Sequence, residues 1–504
     1  QNSDGPRGAR TALLALVLLG AGLRLWQYFA NASLWIDEIA LAENVLHRPL
    51  GALLRDPLAF DQVAAPGFLA LAKAAVALLG ASEMALRLVP MLCGLGALVL
   101  FPGLSRRFQP AWIAVFATGL FAVLPTLIGH TAEFKPYSTD LLAAVLLTRL
   151  AFDLTEPWAS GARHLGAAFA GAAAVWFSEG AVFVVAGLGA ALCLLALRDR
   201  TRLLRARLAG VIALWAASAG AAAVAALHRV PAPMREYFDR FWHPSLPSLP
   251  VLAFVGLAVA ALWKRDRTAA VLLTGPVLVA LLAAAARVYP FSGRAILFLA
   301  PAAVLAIAEG TGWLVLGLTR LGVPRPMAVA LPTLALVAVL ANDPPVYRDE
   351  DTRPVLEEMA RRRRPDDAIY VYYAAERAFR FYGPRVGLPP GAATFGDCHR
   401  GDPRAYLREL DTLRGRPRVW VFRSHVSAAL AEQPILDAYL ARLGTRKETI
   451  AASDTDAALW DLSTARDVPS DAAESQPLPG WDASALVHLG CGHGPIGPAP
   501  ADWK

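Results

Sequence analysis

Long apolar runs fill the first 341 residues, and this pattern limits the fold more than any other feature of the sequence. A helix needs about 20 apolar residues to cross a bilayer, and most of the runs reach or approach that length. Only 44 of these 341 residues are charged, so a soluble globule, a coiled coil, a collagen and a disordered chain are excluded for this part. The runs are 11–29, 66–80, 85–104, 110–129, 138–152, 164–178, 181–197, 208–227, 249–263, 269–286, 295–318 and 325–341.

The remaining part of the chain has an ordinary soluble composition, with 45 charged residues among 163. Helix and strand patterns alternate in it, which predicts a small α/β domain without a complete cofactor fingerprint. We therefore expect a membrane domain at 1–341, an α/β domain at 342–467 and a disordered tail at 468–504, rich in Pro, Gly, Ala and Ser. The predicted elements are helices at 353–364, 376–382 and 435–443 and strands at 368–374, 418–424, 449–451 and 457–462.

Lysine and arginine in the short loops predict which side of the membrane each loop faces, because cytoplasmic loops carry an excess of them. If the run 66–80 lies in the interface, about eleven helices cross and all the basic loops fall inside. If that run crosses, they all fall outside, so the first topology is preferred. The basic residues concerned are Arg106, Arg107, Arg163, Arg198, Arg200, Arg202, Arg205, Arg207, Lys264, Arg265, Arg267, Arg320 and Arg325.

This topology places the α/β domain and five connecting segments on the outer face. The net charge of +7 then reflects membrane orientation and gives no reason to expect a nucleic-acid partner. Cytoplasmic nucleotides do not reach the outer face, and no Gly-rich phosphate loop is visible. An activated donor must then be lipid-linked. The segments are 31–84, 130–137, 179–180, 228–248 and 287–294.

Four cysteines are too few for a disulfide framework. Cys398 and Cys491 lie in the soluble part and can pair if that part faces an oxidising compartment. The Gly/Pro-rich surroundings of Cys491 argue against the pair, and we expect both residues to remain thiols.

The first candidate site is a pair of adjacent carboxylates, Asp37 and Glu38, which follow Trp35 in the first outer segment. Apolar residues at 34, 36, 39, 41 and 45 suit an amphipathic helix in the membrane interface. The structural alternative is a helix N-terminus, where the helix dipole favours acids. On spacing alone the two interpretations are even.

The second candidate site joins two membrane helices and contains Glu133, Lys135, Tyr137 and Asp140. Pro136 suits the start of the following helix. Charges at this depth are costly and usually mark a function. The structural alternative is an ion pair of Lys135 with Glu133 or Asp140.

The third candidate site contains Tyr289 and Arg294. Arg294 opens a long apolar run from the outer side, where a cation is unfavourable for the helix dipole unless it holds an anion. A guanidinium matches a phosphate by bidentate geometry, and snorkelling to the interface is the structural alternative. Two further candidates are Arg87, which we expect to pair with Glu83, and His243 in an aromatic-rich loop.

These residue types suit glycosyl transfer from a lipid-phosphate sugar. One carboxylate, Asp37 or Glu38, takes the proton from the acceptor hydroxyl, and Lys135 and Arg294 hold the phosphate as charge builds on it. Membrane helices supply a groove for the lipid tail. A single displacement with one base inverts the anomeric centre. The assignment assumes that the three outer segments meet in one cavity.

No metal site is predicted and no cofactor is certain. No spacing typical of zinc ligands occurs, and a monophosphate donor does not require a divalent metal. A carboxylate pair is nevertheless able to hold a divalent ion, so metal dependence stays open.

The order of these segments resembles the GT-C superfamily of integral membrane glycosyltransferases. It is closest to the branch with protein O-mannosyltransferases, aminoarabinose transferases and bacterial lipid A sugar transferases of the RgtA type. The resemblance covers most of 11–341 and rests on the motifs as a set. They are Trp35-Ile-Asp37-Glu38, the segment 78–90 with Arg87, Glu133-Phe-Lys135-Pro-Tyr137-Ser-Thr-Asp140, Trp176-Phe-Ser-Glu-Gly, and Gly293-Arg294 before Leu-Phe-Leu-Ala-Pro.

The resemblance implies Asp37 as the catalytic base and a polyprenyl-phosphate sugar as the donor. We further predict Arg87, Lys135 and Arg294 as phosphate contacts, and Glu133, Tyr137, Asp140, His243 and Tyr289 as substrate contacts. Val63-Ala-Ala-Pro66-Gly67 lacks the His or Lys that the family often has there, so one contact has moved, in our interpretation to Lys135.

The expected setting is the plasma membrane of a bacterium, with the active site and the α/β domain on the periplasmic side among membrane lipids. The acceptor is a lipid, a glycan or a protein. The main alternative function is a transporter or flippase of envelope glycolipids. Such a protein would carry its charges at the bilayer midplane and often show two related halves, and no clear internal repeat is present.

Overall fold

The computed structural model describes residues 5–156, 159–198, 201–229, 249–291, 293–342, 348, 350–399, 402–425, 432–464, 469 and 471–478. The chain divides into two compact units. Unit 1 comprises Gln1–Asn31, Pro49–Leu79 and Met84–Tyr347, and unit 2 comprises Ala32–Arg48, Gly80–Glu83 and Arg348–Lys504. Two early segments of the sequence, including the one with Asp37, therefore group with the C-terminal part.

The regular secondary structure of unit 1 is helical in its described residues. Proline and short polar residues mark several helix starts. Pro125 occupies the first position of the helix Pro125–Gly129, and the side chain of Asp266 accepts a hydrogen bond from Ala269 N (3.0 Å) to cap the helix Arg267–Ala285. The helices are α1 (Gly5–Phe29), α3 (Leu50–Arg55), α4 (Pro66–Leu79), α5 (Glu83–Ser105, from Met84 on), α6 (Ala111–Val123), α7 (Pro125–Gly129), α8 (Tyr137–Leu154), α9 (Gly161–Phe177), α10 (Gly180–Arg198), α11 (Arg202–Arg229), α12 (Leu249–Arg265), α13 (Arg267–Ala285), α14 (Ala300–Arg320) and α15 (Arg325–Asn342).

The expected multi-pass membrane fold is confirmed. Among the described residues, six helical segments are long and apolar enough to cross a bilayer, and a bent pair (Ala111–Val123 with Pro125–Ala132, 56°) makes a seventh if it is one span. This is fewer than eleven, because α9 and α12 have only 17 residues and α8 carries Asp140, Arg149 and Asp153. Eleven spans stay a prediction. The six segments are Arg7–Phe29, Glu83–Ser105, Gly180–Leu197, Arg202–Arg229, Arg267–Ala285 and Gly293–Arg320.

The run 66–80 forms the 14-residue helix α4. At 1.5 Å per residue such a helix is about 21 Å long, short of the roughly 30 Å hydrocarbon core. This length agrees with an interfacial position, which stays a prediction.

Close backbone contact and hydrogen bonding join the helices of unit 1. A Cβ atom on Gly187 in α10 would lie 2.2 Å from the backbone nitrogen of Pro276 in α13, so only glycine allows this approach. Arg24 is fully buried in α1, and its guanidinium donates to the carbonyls of Phe121 (3.0 Å) and Ala122 (2.9 Å). These carbonyls belong to the last turn of α6, which lacks helical partners for them.

Unit 2 contains the N-terminal helix α2 (Ile36–His47) and the C-terminal α/β region. Its other helices are α16 (Thr352–Arg362), α17 (Glu376–Tyr382), α18 (Pro403–Asp411), α19 (Glu432–Leu443) and α20 (Ala472–Ser475). Its strands are β1 (Ala368–Val371), β2 (Ala393–Phe395), β3 (Val419–Ser424), β4 (Thr445–Ala452) and β5 (Thr455–Asp461).

The five strands form one mixed sheet in the order β2-β1-β3-β5-β4. β1 pairs in parallel with β2 on one side and β3 on the other, with Ile369 opposite both Ala393 and Trp420. β5 is antiparallel to β3 and β4. All six residues of β3 are buried, as expected of a central strand, and the last two of them are the polar residues Arg423 and Ser424.

The predicted α/β domain is confirmed, and most of its predicted elements are present. The helix at 376–382 is found with the same bounds, whereas the late strands are longer than predicted. β2 and α18 were not predicted, because β2 has three residues and α18 has few apolar ones.

Two expectations about this region concern its cysteines and the tail at 468–504. Cys398 is disulfide-bonded, so the expectation of a thiol is wrong. Cys491 lies outside the described residues. Most of the predicted tail at 468–504 also lies outside them, and the described portion contains α20.

Candidate functional site

Glu133 is the centre of a charged group in unit 1. It follows a 3-10 turn (His130–Ala132) and precedes α8. One carboxylate oxygen is bonded to His130 Nδ1, and Oε1 lies 3.6 Å from Arg294 Nη1. Burial raises the pKa of the Glu133 carboxyl, but the bond to His130 and the charges of His130, Arg294 and Lys135 outweigh it and hold that pKa below its usual value. Glu133 is therefore a carboxylate among cations.

Lys135 is buried and extends the group toward a neighbouring loop. Its Nζ atom donates to Gln62 Oε1 at 2.6 Å, and Gln62 in turn donates to the carbonyl of Phe60 at 3.0 Å. The charge of Lys135 also acts on the Glu133 carboxyl. A role for Lys135 in holding a phosphate stays a prediction.

Arg294 does not open a long α-helix, as we expected. It lies in a 3-10 segment (Gly293–Leu299), and α14 begins only at Ala300. Its guanidinium lies 5.8 Å from the ring centre of Tyr137. The half-exposed Arg294 is thus held between a carboxylate and an aromatic face.

Asp140 has a structural role in this arrangement. Its Oδ1 atom accepts hydrogen bonds from Ser178 Oγ (2.6 Å) and Gly180 N (3.4 Å). Ser178 Oγ also accepts from Ala181 N at 3.0 Å. Together they satisfy amides at the start of α10, where a carboxylate is favoured. A contact of Asp140 with substrate stays a prediction.

Glu179 and Arg229 were not among the predicted site residues. Glu179 lies between α9 and α10, and burial raises the pKa of its carboxyl to about 7, against the opposing charges of Arg229 and Lys135. Arg229 donates to the carbonyl of Ala64 at 3.3 Å. Both extend the polar group toward the residues around Gln62. The Trp176-Phe-Ser-Glu-Gly motif was the one signal in the sequence that pointed to Glu179.

The other predicted residues of unit 1 have separate surroundings. Tyr289 donates to the carbonyl of Ala295 at 2.8 Å, which joins the two ends of the third candidate segment. Its ring lies 4.5 Å from that of Phe183. Arg87 is buried in the second turn of α5. His243 lies outside the described residues.

The structure distinguishes the two carboxylates of α2. Glu38 is buried, and its Oε2 atom accepts a hydrogen bond from Trp35 N at 3.2 Å, which caps the start of α2. Asp37, the residue immediately before Glu38, is only partly buried. Residues 38–45 are all buried, so α2 lacks the exposed polar face of an amphipathic helix, and its position in the membrane interface stays a prediction.

Hydrogen bonds fix the segment before α2 within unit 2. Ser33 Oγ donates to Asp351 Oδ1 (2.8 Å) and accepts from Arg353 N (2.9 Å). Leu34 N donates to the hydroxyl of Tyr382 at 2.7 Å. These bonds hold Asp37 at a defined position relative to α16 and α17.

Glu83 has two partners that we did not predict. Its carboxylate forms an ion pair with Arg353 Nη1 at 2.6 Å and accepts from Tyr382 Oη at 3.3 Å. The pair with Arg87 stays a prediction. Glu83 therefore joins the second early segment of unit 2 to α16 and α17.

Two groups of side chains in unit 2 have the composition of metal sites, within the described residues. They are Glu350, His425 and Asp454, and Asp397, His399 and Glu409. In the first, His425 Nδ1 lies 2.7 Å from Glu350 Oε1. Burial lowers the pKa of His425, but the bond to Glu350 and the charges of Glu350, Asp454 and Asp37 together raise it above its usual value.

A buried glutamate in unit 2 is surrounded by tyrosines. The hydroxyls of Tyr372, Tyr373 (3.4 Å) and Tyr406 (3.3 Å) donate to the carboxyl of Glu432. Burial raises the pKa of this carboxyl to about 7. The sequence showed the aromatic strand but not the acid that meets it.

The chain matches no protein-family model, and a search of curated proteins gave no match. Similar solved structures include ArnT from Cupriavidus metallidurans in the apo state, with 14% identity, a TM-score of 0.49 and coverage of 91% of this chain and 99% of that one. For the same protein bound to undecaprenyl phosphate, the identity is 14%, the TM-score is 0.47, and the coverage is 91% of this chain and 98% of that one.

An archaeal oligosaccharyltransferase, AglB from Archaeoglobus fulgidus, is also similar in its complex with an inhibitory peptide and a dolichol-phosphate. The identity is 12%, the TM-score 0.47, and the coverage 93% of this chain and 76% of that one. At these values the likeness assigns no activity to this chain.

Proposed function

We propose that the chain transfers a sugar from a polyprenyl-phosphate donor to an acceptor on the outer, periplasmic face of a bacterial plasma membrane. The charged group of Glu133, Lys135 and Arg294 carries the proposal. Charges buried or half-buried beside membrane helices are costly and usually mark a functional site. Two cations in this setting suit a phosphate whose lipid tail remains in the bilayer.

Arg294 is the proposed principal contact of the donor phosphate. A guanidinium offers paired donors that match phosphate oxygens. Its 3.6 Å separation from Glu133 Oε1 exceeds hydrogen-bond length, and that oxygen has no hydrogen-bond partner within the described part of the chain. We infer that Glu133 positions Arg294 and that Lys135 adds positive charge as the phosphate leaves.

Asp37 is the proposed general base. Glu38 is engaged in the helix cap, so of the two adjacent carboxylates Asp37 is better suited to take a proton from the acceptor hydroxyl. One base and one displacement predict inversion of the anomeric centre. Arg87 remains a proposed contact of the donor phosphate, and the proposed substrate contacts remain Tyr137, Asp140, Tyr289 and His243.

The outer-face orientation has support from the cysteine chemistry of unit 2. Cys398 is disulfide-bonded, and disulfides persist in oxidising compartments such as the periplasm. The distribution of basic loops favours the same orientation.

Binding of the lipid phosphate can be tested without knowing the sugar. We expect detergent-purified protein to retain added undecaprenyl phosphate in native mass spectrometry and Arg294→Gln to lower its occupancy by about tenfold or more, as loss of a charge-assisted contact predicts. The matched control is Arg320→Gln, the same charge change at an exposed position at the end of α14. Equal occupancy in wild type and Arg294→Gln would contradict the proposed phosphate contact.

Transfer itself is tested in membranes containing the chain and a panel of radiolabelled polyprenyl-phosphate sugars. Asp37→Asn should reduce label transfer by about 10²- to 10⁴-fold, the usual contribution of a general base. The exposed Asp366→Asn is the matched control. Movement of intact labelled lipid across the membrane without bond cleavage would instead favour the transporter or flippase alternative.

A further inference from the structure

The carboxyl end of β3 in unit 2 has the topology of a ligand-binding edge. β1 pairs in parallel with β2 on one side and with β3 on the other, so the connection after β1 runs to one side of the sheet and the connection from β2 to β3 runs back to the other side. Ligands of such sheets bind beyond the carboxyl ends of the strands at this point of reversal. The residues that follow β3 are therefore the first place to look for a site in this unit.

Three potential metal ligands meet at this edge. His425 follows directly after β3, and Asp454 lies in the turn before β5, because Ser424 and Thr455 are paired across the two strands. Glu350 reaches the same place from the segment before α16. Its Oε2 atom accepts from Ser424 Oγ at 3.1 Å, and Asp351 N donates to the carbonyl of Ser453 at 2.9 Å.

The donor atoms of the three side chains all lie within 4.8 Å of one another. Ligands of one tetrahedral ion with bonds of about 2.0–2.2 Å are roughly 3.3–3.5 Å apart, so small side-chain movements bring these atoms onto one ion. One imidazole and two carboxylates favour a first-row transition ion over Mg²⁺ or Ca²⁺, which prefer oxygen ligands alone. We propose that Glu350, His425 and Asp454 form a binding site for a divalent transition-metal ion.

The location of the proposed site gives it a connection with α2. The charge of Asp37 acts on His425, so Asp37 lies within electrostatic range of the three ligands. A bound dication would be attracted by this fourth carboxylate and would stabilise its ionised form. Metal binding and sugar transfer are separate measurements, so the metal site stands or fails independently of the proposed transferase activity.

The second group in unit 2 serves as the matched control. Asp397 is exposed, and the carboxylate of Glu409 already accepts from the hydroxyl of Tyr370 (2.9 Å), Asp397 N (2.7 Å) and His399 (3.1 Å). An ion would have to displace these bonds. We therefore expect His399→Asn to leave metal affinity unchanged.

The test uses Mn²⁺ alone with the full-length protein, and electron paramagnetic resonance measures the free ion. The expected result is one Mn²⁺ per chain, displaced by Zn²⁺, which binds nitrogen and oxygen ligands more tightly. His425→Asn and Asp454→Asn should each weaken binding by at least about tenfold. Asparagine tolerates the positive φ angles of these positions, 58° and 46°, so the backbone is preserved.

Each variant is first checked for an unchanged gel-filtration profile. If one variant aggregates, the binding measured with the other variant tests the proposal. The proposal is overturned if wild type binds no Mn²⁺ beyond the detergent blank. It is equally overturned if both variants retain wild-type affinity, or if His399→Asn is the variant that loses binding.

Discussion

Replacing Glu432 by Gln should stabilise unit 2 at neutral and alkaline pH and have no effect at acidic pH. Glu432 is almost fully buried, and burial raises the pKa of its carboxyl from 4.5 to about 7. Below pH 4.5 the carboxyl is protonated in both the folded and the unfolded chain, so it makes no pH-dependent contribution to the free energy of unfolding. Between 4.5 and 7 the unfolded chain loses its proton first, and the folded state is progressively destabilised.

The size of the effect follows from the shift. A difference of about 2.5 pKa units at roughly 1.36 kcal/mol each gives about 3 kcal/mol above pH 7. The tyrosine hydroxyls that donate to Glu432 also stabilise its charged form, so this figure is an upper limit. Glutamine has no charge at any pH and retains a carbonyl acceptor for Tyr372, so the variant should lose the pH dependence.

Hydrogen exchange of peptides from β3 and α19 measures this difference, with wild type and variant compared at the same pH. At pH 8 the amides of the Glu432→Gln variant that exchange by global unfolding should exchange up to about 300-fold more slowly, and at pH 4 the two proteins should be equal. The control is Glu357→Gln on the exposed face of α16. A variant that is less protected than wild type at pH 8, or equally changed at both values, would refute the reasoning.

Two further predictions concern the packing of unit 1 and use the apparent Tm in detergent. Arg24→Met should lower the stability by about 2–4 kcal/mol, because it leaves two helix-end carbonyls unpaired, although it also relieves the burial of a charge. Arg10→Met, at an exposed position of the same helix, should have no effect. Equal Tm values for wild type and Arg24→Met would show that the carbonyls find other donors. Gly187→Ala should lower the Tm by several degrees because its Cβ would meet the backbone of α13 at 2.2 Å, and Gly189→Ala, whose Cβ meets only a side chain at 3.8 Å, is the neutral comparison.

The sequence predicted the membrane class and the α/β domain because these depend on strong local patterns. Apolar runs and the alternation of helix and strand need no knowledge of distant contacts. The helix at 376–382 was therefore found with its bounds. The number of spans was not settled, since short helices such as α9 and α12 fall near the length at which crossing begins.

The candidate site was only partly predictable because side-chain partners come from distant parts of the chain. Lys135 bonds to Gln62, and Glu83 to Arg353, and neither spacing carries a recognisable pattern. The pairing of Glu133 with Arg294 also joins positions 161 residues apart, although both residues were singled out as charges near the membrane. The sequence did allow Asp37 and Glu38 to be acids at a helix N-terminus, and Glu38 does cap the start of α2.

The grouping of α2 with the C-terminal part of the chain has a consequence for biosynthesis. Residues 32–48 leave the ribosome long before Asp351, Arg353 and Tyr382, which hold the start of this segment in place. During that interval the apolar side chains of α2 lack the partners that bury them. Contacts so distant in sequence form late, so the base proposed at Asp37 cannot be ordered until the last third of the protein has folded. A chain interrupted before that point would carry the residue without the means to position it.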